Sequence, residues 1–114
     1  MRLICRSEAL VDGGEGVCFE VERYGVKEPA FVVRHAGQAR AFLNRCAHVP
    51  VKMDWQPGRF FDLEGRYITC GVHGALYEPH SGHCVMGPCK GGKLRSLAVE
   101  EQDGGVYLVE AETL

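Results

Sequence analysis

Cys46-Ala47-His48 and Cys70-Gly71-Val72-His73-Gly74-Ala75-Leu76-Tyr77 are the stretches on which the reading of this chain turns. Each places a histidine shortly after a cysteine, so two thiolates and two imidazoles come from two separate segments. Thiolate suits iron–sulfur clusters and zinc, and imidazole suits iron and zinc, so ligand identity alone leaves both open. Ligand order narrows the choice. Common zinc modules present cysteines as one close pair and histidines as another, whereas here each segment contributes one of each.

Outward from these stretches the dominant period is two. Val17, Phe19 and Val21 alternate with Cys18, Glu20 and Glu22, and Leu97 and Val99 alternate with Ala98 and Glu100, the pattern of half-buried strands. Turn residues fall between such segments at Gly13-Gly14, Ala36-Gly37-Gln38, Pro57-Gly58, Glu64-Gly65, Ser81-Gly82 and Asp103-Gly104-Gly105, which reads as consecutive antiparallel hairpins. Strands are expected over about 2–6, 16–24, 30–36, 39–44, 66–70, 74–78, 83–86, 94–101 and 105–110. No window repeats apolar residues at helical spacing over several turns, so the class is all-β, with one short helical turn expected within 47–58. Three segments escape the alternation: 45–58, 70–74, and Gly87-Pro88-Cys89-Lys90-Gly91-Gly92. Irregular segments held by a rigid scaffold are where function is usually carried.

With 114 residues the chain suits one domain, 1–114, because a second core would leave each half too little apolar surface to bury. Its 46% hydrophobic and 25% charged residues are ordinary for a globular protein, and a net charge of -2 offers no footprint for nucleic acid. Glu8 and Asp12 interrupt any leader-like stretch at the N-terminus, and no apolar run is long enough to span a bilayer. A cytoplasmic protein without a membrane partner is therefore expected, and six cysteines in a reducing compartment point to metal binding.

The segments Cys46-Ala-His48, Cys70-Gly-Val-His73-Gly-Ala-Leu-Tyr77 and Gly87-Pro-Cys89 resemble the two cluster loops and the proline loop of Rieske-type ferredoxins. The likeness runs from about Asn44 to Leu97. It implies an antiparallel β-sandwich with a small cluster-binding subdomain, formed by two loops within about 44–93. It also implies one [2Fe–2S] cluster per chain, with Cys46 and Cys70 on one iron and His48 and His73 on the other. Neutral imidazoles remove negative charge from such a site, so reduction is easier than in an all-cysteine cluster; Rieske centres span roughly -150 to +300 mV. The function implied is a non-catalytic electron carrier between a flavin-dependent reductase and a terminal oxygenase, plausibly monomeric. The alternatives are a Rieske-like small subunit of a nitrite-reductase-type complex, whose members typically lack the ligands, and a structural zinc module.

High-potential members of the family carry a Ser where this chain has Ala75, and an inter-loop disulfide where it has Val51 and Val72, which places it toward lower potentials. By the same resemblance Tyr77 pulls the other way, since it stands where the high-potential members have a Tyr whose hydroxyl reaches a ligand sulfur. Cys5, Cys18, Cys84 and Cys89 read as plain buried thiols, with a Cys84–Cys89 disulfide left open, and a cluster on Cys46, Cys70, Cys84 and Cys89 would leave the histidines unexplained. His35, His80 and His83 read as solvated, Lys90, Lys93 and Arg95 as a small basic face, and Trp55 and Met53 as loop packing rather than an apolar docking rim. The glycine-rich 87–92 stretch lacks a nucleotide-loop pattern.

Overall fold

The computed structural model describes residues 2–45, 52–54, 56, 58–70, 74–87 and 91–109. The chain runs through β1 (Arg2–Arg6), a 3₁₀ turn (Ser7–Ala9), β2 (Val17–Arg23), β3 (Val26–His35), β4 (Gln38–Leu43), β5 (Ile68–Thr69), β6 (Leu76–Tyr77), β7 (Cys84–Met86), β8 (Ser96–Leu97), β9 (Val99–Gln102) and β10 (Gly105–Leu108). The all-β expectation holds, and every pairing between these strands is antiparallel. Among the described residues no helix is long and apolar enough to cross a membrane. A short 3₁₀ turn sits at Ser7–Ala9, and most of the 47–58 window, where a helical turn was expected, lies outside the described residues.

Three sheets result, ordered β1-β10-β9, β2-β3-β4-β8 and β5-β6-β7. The first two pack face to face. Ile4, Val106 and Leu108 from one meet Val17, Phe19, Val21, Ala30, Val32, Ala41 and Leu43 from the other, giving the expected sandwich core. The opposite face of β3 and β4 presents Phe31, Val33 and Phe42 to a second core with Met53, Phe60, Ile68, Cys70, Ala75, Tyr77, Cys84 and Leu94. Strand β3 is therefore covered on both faces, and Ala30, Phe31, Val32 and Val33 are all fully buried. A strand buried on both sides reads as a continuous apolar run, and Ala30-Phe31-Val32-Val33 is such a run. The Phe31 ring stacks on Phe60 with centroids 3.9 Å apart.

Two departures from the sequence reading have local causes. Strand β3 begins at Val26, because Tyr24 (φ 53°) and Gly25 (φ 80°) make a tight hairpin turn that β2 and β3 enter directly. That turn needs two positive φ values, and Tyr-Gly lacks the Asn or Asp that advertises such a turn in sequence. The single strand expected over 94–101 is two. Leu97 pairs with Ala41 and Val99 with Leu108, so the chain passes from one sheet of the sandwich to the other at Ala98.

Arg34 closes the sandwich edge. Its guanidinium donates to both carboxylate oxygens of Glu101, at 2.7 and 3.1 Å, and to the carbonyls of Ser7 and Leu10. The hydrogen bonds that Glu101 accepts from Arg34 first, and from the Ser7 side chain second, lower its pKa to about 2. A carboxylate depressed in the folded state adds stability above its unfolded pKa, and that stability is lost as pH falls. Glu101→Gln is expected to reduce the free energy of unfolding by about 1 kcal/mol at neutral pH, the Glu101 side chain being partly exposed, and to flatten the loss of stability between pH 4.5 and 2. Urea titrations across that range check both.

Candidate metal centre

Of the four expected ligands, Cys70 is among the described residues, and Cys46, His48 and His73 lie outside them. Strands β5 and β6 pair Ile68 with Tyr77 and Thr69 with Leu76, which brings Cys70 and Ala75 to the same end of the two strands. Cys70 N donates to Ala75 O at 2.9 Å, and Gly74 N donates to Cys70 O at 2.7 Å. These bonds tie Cys70 to Gly74 and Ala75, the residues that follow the Cys-x-x-His segment. Cys70 is fully buried beside Ala75, Tyr77, Cys84 and Met53, away from the water that would hydrate a thiolate.

The first ligand segment leaves β4 at Leu43. Asn44, just beyond it, is 3% exposed, yet it is polar. Its Oδ1 accepts from Met53 N at 2.8 Å, and its Nδ2 donates to Asp54 Oδ1 at 2.8 Å. Asp54 Oδ2 accepts from Gly58 N at 3.1 Å and from the Cys18 thiol at 3.4 Å. Burial first, and Asp54 second, push the Cys18 thiol above its usual range, so it stays a protonated donor. Neither Asn44 nor Asp54 was singled out by motif, because the bond between them depends on where the chain returns after residue 52.

The third loop approaches through Gly87. Strands β6 and β7 pair Leu76 with Met86 and Tyr77 with Cys84, across a register shift. Gly87 has φ 106°, and a Cβ there would come 2.8 Å from Ala75 Cα. Backbone thus lies directly on the residue that ends the Cys70 turn, an approach open to glycine alone. The subdomain is accordingly more than two loops, since β5, β6 and β7 give it a sheet of its own.

The remaining expectations sort as follows. Cys84 is disulfide-bonded, which corrects its reading as a plain thiol; its partner is outside the described residues, as is Cys89. Cys5 and Cys18 are free thiols, and burial raises the Cys5 pKa. Met53 is fully buried and so packs the loop, while Trp55, Pro88, Lys90, Val51 and Val72 lie outside the described residues. His83 is exposed and His80 largely so, whereas His35 is half-buried and stacks on Phe61, its aromatic face supplying contact area that a solvated reading leaves out. Lys93 and Arg95 are exposed. Beyond the expected ligands, β7 exposes Val85 and Met86 beside the Gly87 approach.

The family model described as Rieske [2Fe-2S] domain matches residues 2–103. No curated protein matches the chain. Among solved structures, the ferredoxin of carbazole 1,9a-dioxygenase from Nocardioides aromaticivorans IC177 superposes with a TM-score of 0.73 at 21% identity, covering 94% of each chain. The Sphingomonas yanoikuyae B1 ferredoxin gives 0.72 at 23% identity, covering 96% of this chain and 97% of that one. A chain from the complex of reduced oxygenase and oxidized ferredoxin in carbazole 1,9a-dioxygenase gives 0.71 at 25% identity, covering 94% and 90%.

Gly87→Ala is expected to lower stability by about 1–3 kcal/mol, because a left-handed φ and a backbone clash act together. Thermal unfolding followed by circular dichroism measures it, alongside Gly91→Ala, where φ is 99° but nothing lies within 4 Å of the added Cβ. The larger drop is expected at Gly87.

Proposed function

This chain belongs to the Rieske [2Fe–2S] domain family, and on that premise we propose that it is a small electron carrier holding one cluster through Cys46, His48, Cys70 and His73. The observation that carries the reading is the family match over 2–103 in a chain with all four ligand residues in the expected order, Cys70 lying in the second core. When bound, the cluster supplies one-electron uptake and release at the loop tips.

The chain's own residues have the task of holding the loops still. The Cys70–Ala75 and Gly74–Cys70 bonds fix the second turn, and Gly87 brings the third loop against it. Cys70 in a dry core favours thiolate bound to metal over thiolate bound to water. The partners that fit are a flavin-dependent reductase as donor and a terminal oxygenase as acceptor; solved relatives include a ferredoxin in complex with an oxygenase. A single domain over 1–114, acting as a monomer in the cytoplasm, completes the proposal. The Cys84 disulfide is unusual for that compartment and makes thiol state a property to measure with it.

Protein purified anaerobically is expected to hold about two irons and about two acid-labile sulfides per chain, to be reddish-brown, and to give a Rieske electron paramagnetic resonance signal on reduction. Cys70→Ser is expected to abolish both. A colourless protein containing zinc, or one that stays iron-free after reconstitution, overturns the reading.

Tyr77 is fully buried in the core that holds Cys70. A phenol donating to a cluster sulfur stabilises the reduced, more negative state. Tyr77→Phe is expected to lower the reduction potential without loss of iron. Protein-film electrochemistry decides it, and an unchanged potential removes Tyr77 from the tuning of the site.

A further inference from the structure

We propose that Asn44 and Asp54 form a clasp that positions the first ligand loop, making both of them positioning residues for cluster binding; this rests on the cluster reading above. Asn44 is the sole buried polar or charged residue among those described. Burying an amide costs free energy unless its hydrogen bonds are made, so such a residue persists where those bonds hold something in place. Both ends of the Asn44 amide go to one place: Oδ1 accepts from Met53 N and Nδ2 donates to Asp54 Oδ1, each at 2.8 Å. Asn44 N also donates to Pro29 O at 2.8 Å, tying the clasp to β3.

The segment closed in this way, 45–52, contains Cys46 and His48. Its far end is anchored twice more. Asp54 Oδ2 accepts from Gly58 N and from the Cys18 thiol on β2, and the Met53 side chain is fully buried in the core that holds Cys70 and Ala75. Asn44 thus fixes the span of the first loop, and Met53 fixes where that loop closes relative to the second. A four-ligand site drawn from two loops needs that relation set before metal arrives, since each ångström of slack is entropy lost on binding.

The chemistry of the pair supplies its own rescue experiment. Asn44→Asp leaves an acceptor for Met53 N but sets two carboxylates face to face where one amide proton had joined them. Adding Asp54→Asn restores every bond. The carboxylate at position 44 then accepts from Met53 N and from the amide at position 54, whose oxygen accepts from Gly58 N and the Cys18 thiol. The holoproteins are compared for the rate of iron loss to a chelator, the g-values of the reduced cluster, and the urea midpoint. Asn44→Asp is expected to lose iron roughly tenfold faster or more, the scale of one broken buried hydrogen bond, and to shift the g-values. The double variant is expected to return both to wild-type values. Wild-type iron loss and g-values in Asn44→Asp overturn the proposal, and so does a double variant no better than the single one. A single variant too unstable to purify leaves the decision to the double, which must then load and retain cluster like wild type. A wild-type chain that takes up no iron fails the cluster reading instead, before any variant is compared.

Discussion

Burial of β3 on both faces is the constraint from which the rest of the molecule follows. Ala30 and Val32 face the sandwich core, Phe31 and Val33 face the core beneath the loops, and a one-residue slip would exchange the two sets. One strand is therefore the shared wall of two cores. The register of β3 against β4, with Phe31 opposite Phe42 and Ala30 opposite Leu43, fixes where β4 ends. The segment that carries Cys46 and His48 follows that end in sequence.

The second core converts that position into a site. Phe60 stacks on Phe31, Met53 and Cys70 sit in the same apolar cluster, and Gly87 rests on Ala75. Each of these contacts joins one irregular segment to a strand or to another irregular segment. Loops as glycine-rich as these would lose much entropy on ordering; the described residues at their ends are held by apolar burial and by a few hydrogen bonds.

Charge is distributed in the same economical way. The Arg34–Glu101 pair, at 2.7 Å, stands at the sandwich edge, where partial exposure limits its worth. Near the segment that carries Cys46 and His48, an amide, a carboxylate, a backbone N–H and a thiol are joined by hydrogen bonds, and Arg45 pairs with Glu28 at 3.1 Å.

The alternation of Val17, Phe19 and Val21, a strand over about 30–36 and the paired Cys and His segments were legible from sequence, and with them the all-β class and the family, because strand period and ligand order are local properties of a chain. The turn at Tyr24-Gly25, the passage between sheets at Ala98, the disulfide at Cys84, the Asn44–Asp54 bond and the seating of Gly87 on Ala75 were settled only in three dimensions. The turn's residues are not the usual markers of its geometry, and the others depend on which segments the two cores bring together. Such meetings are decided by packing across the fold, which no short window of residues contains.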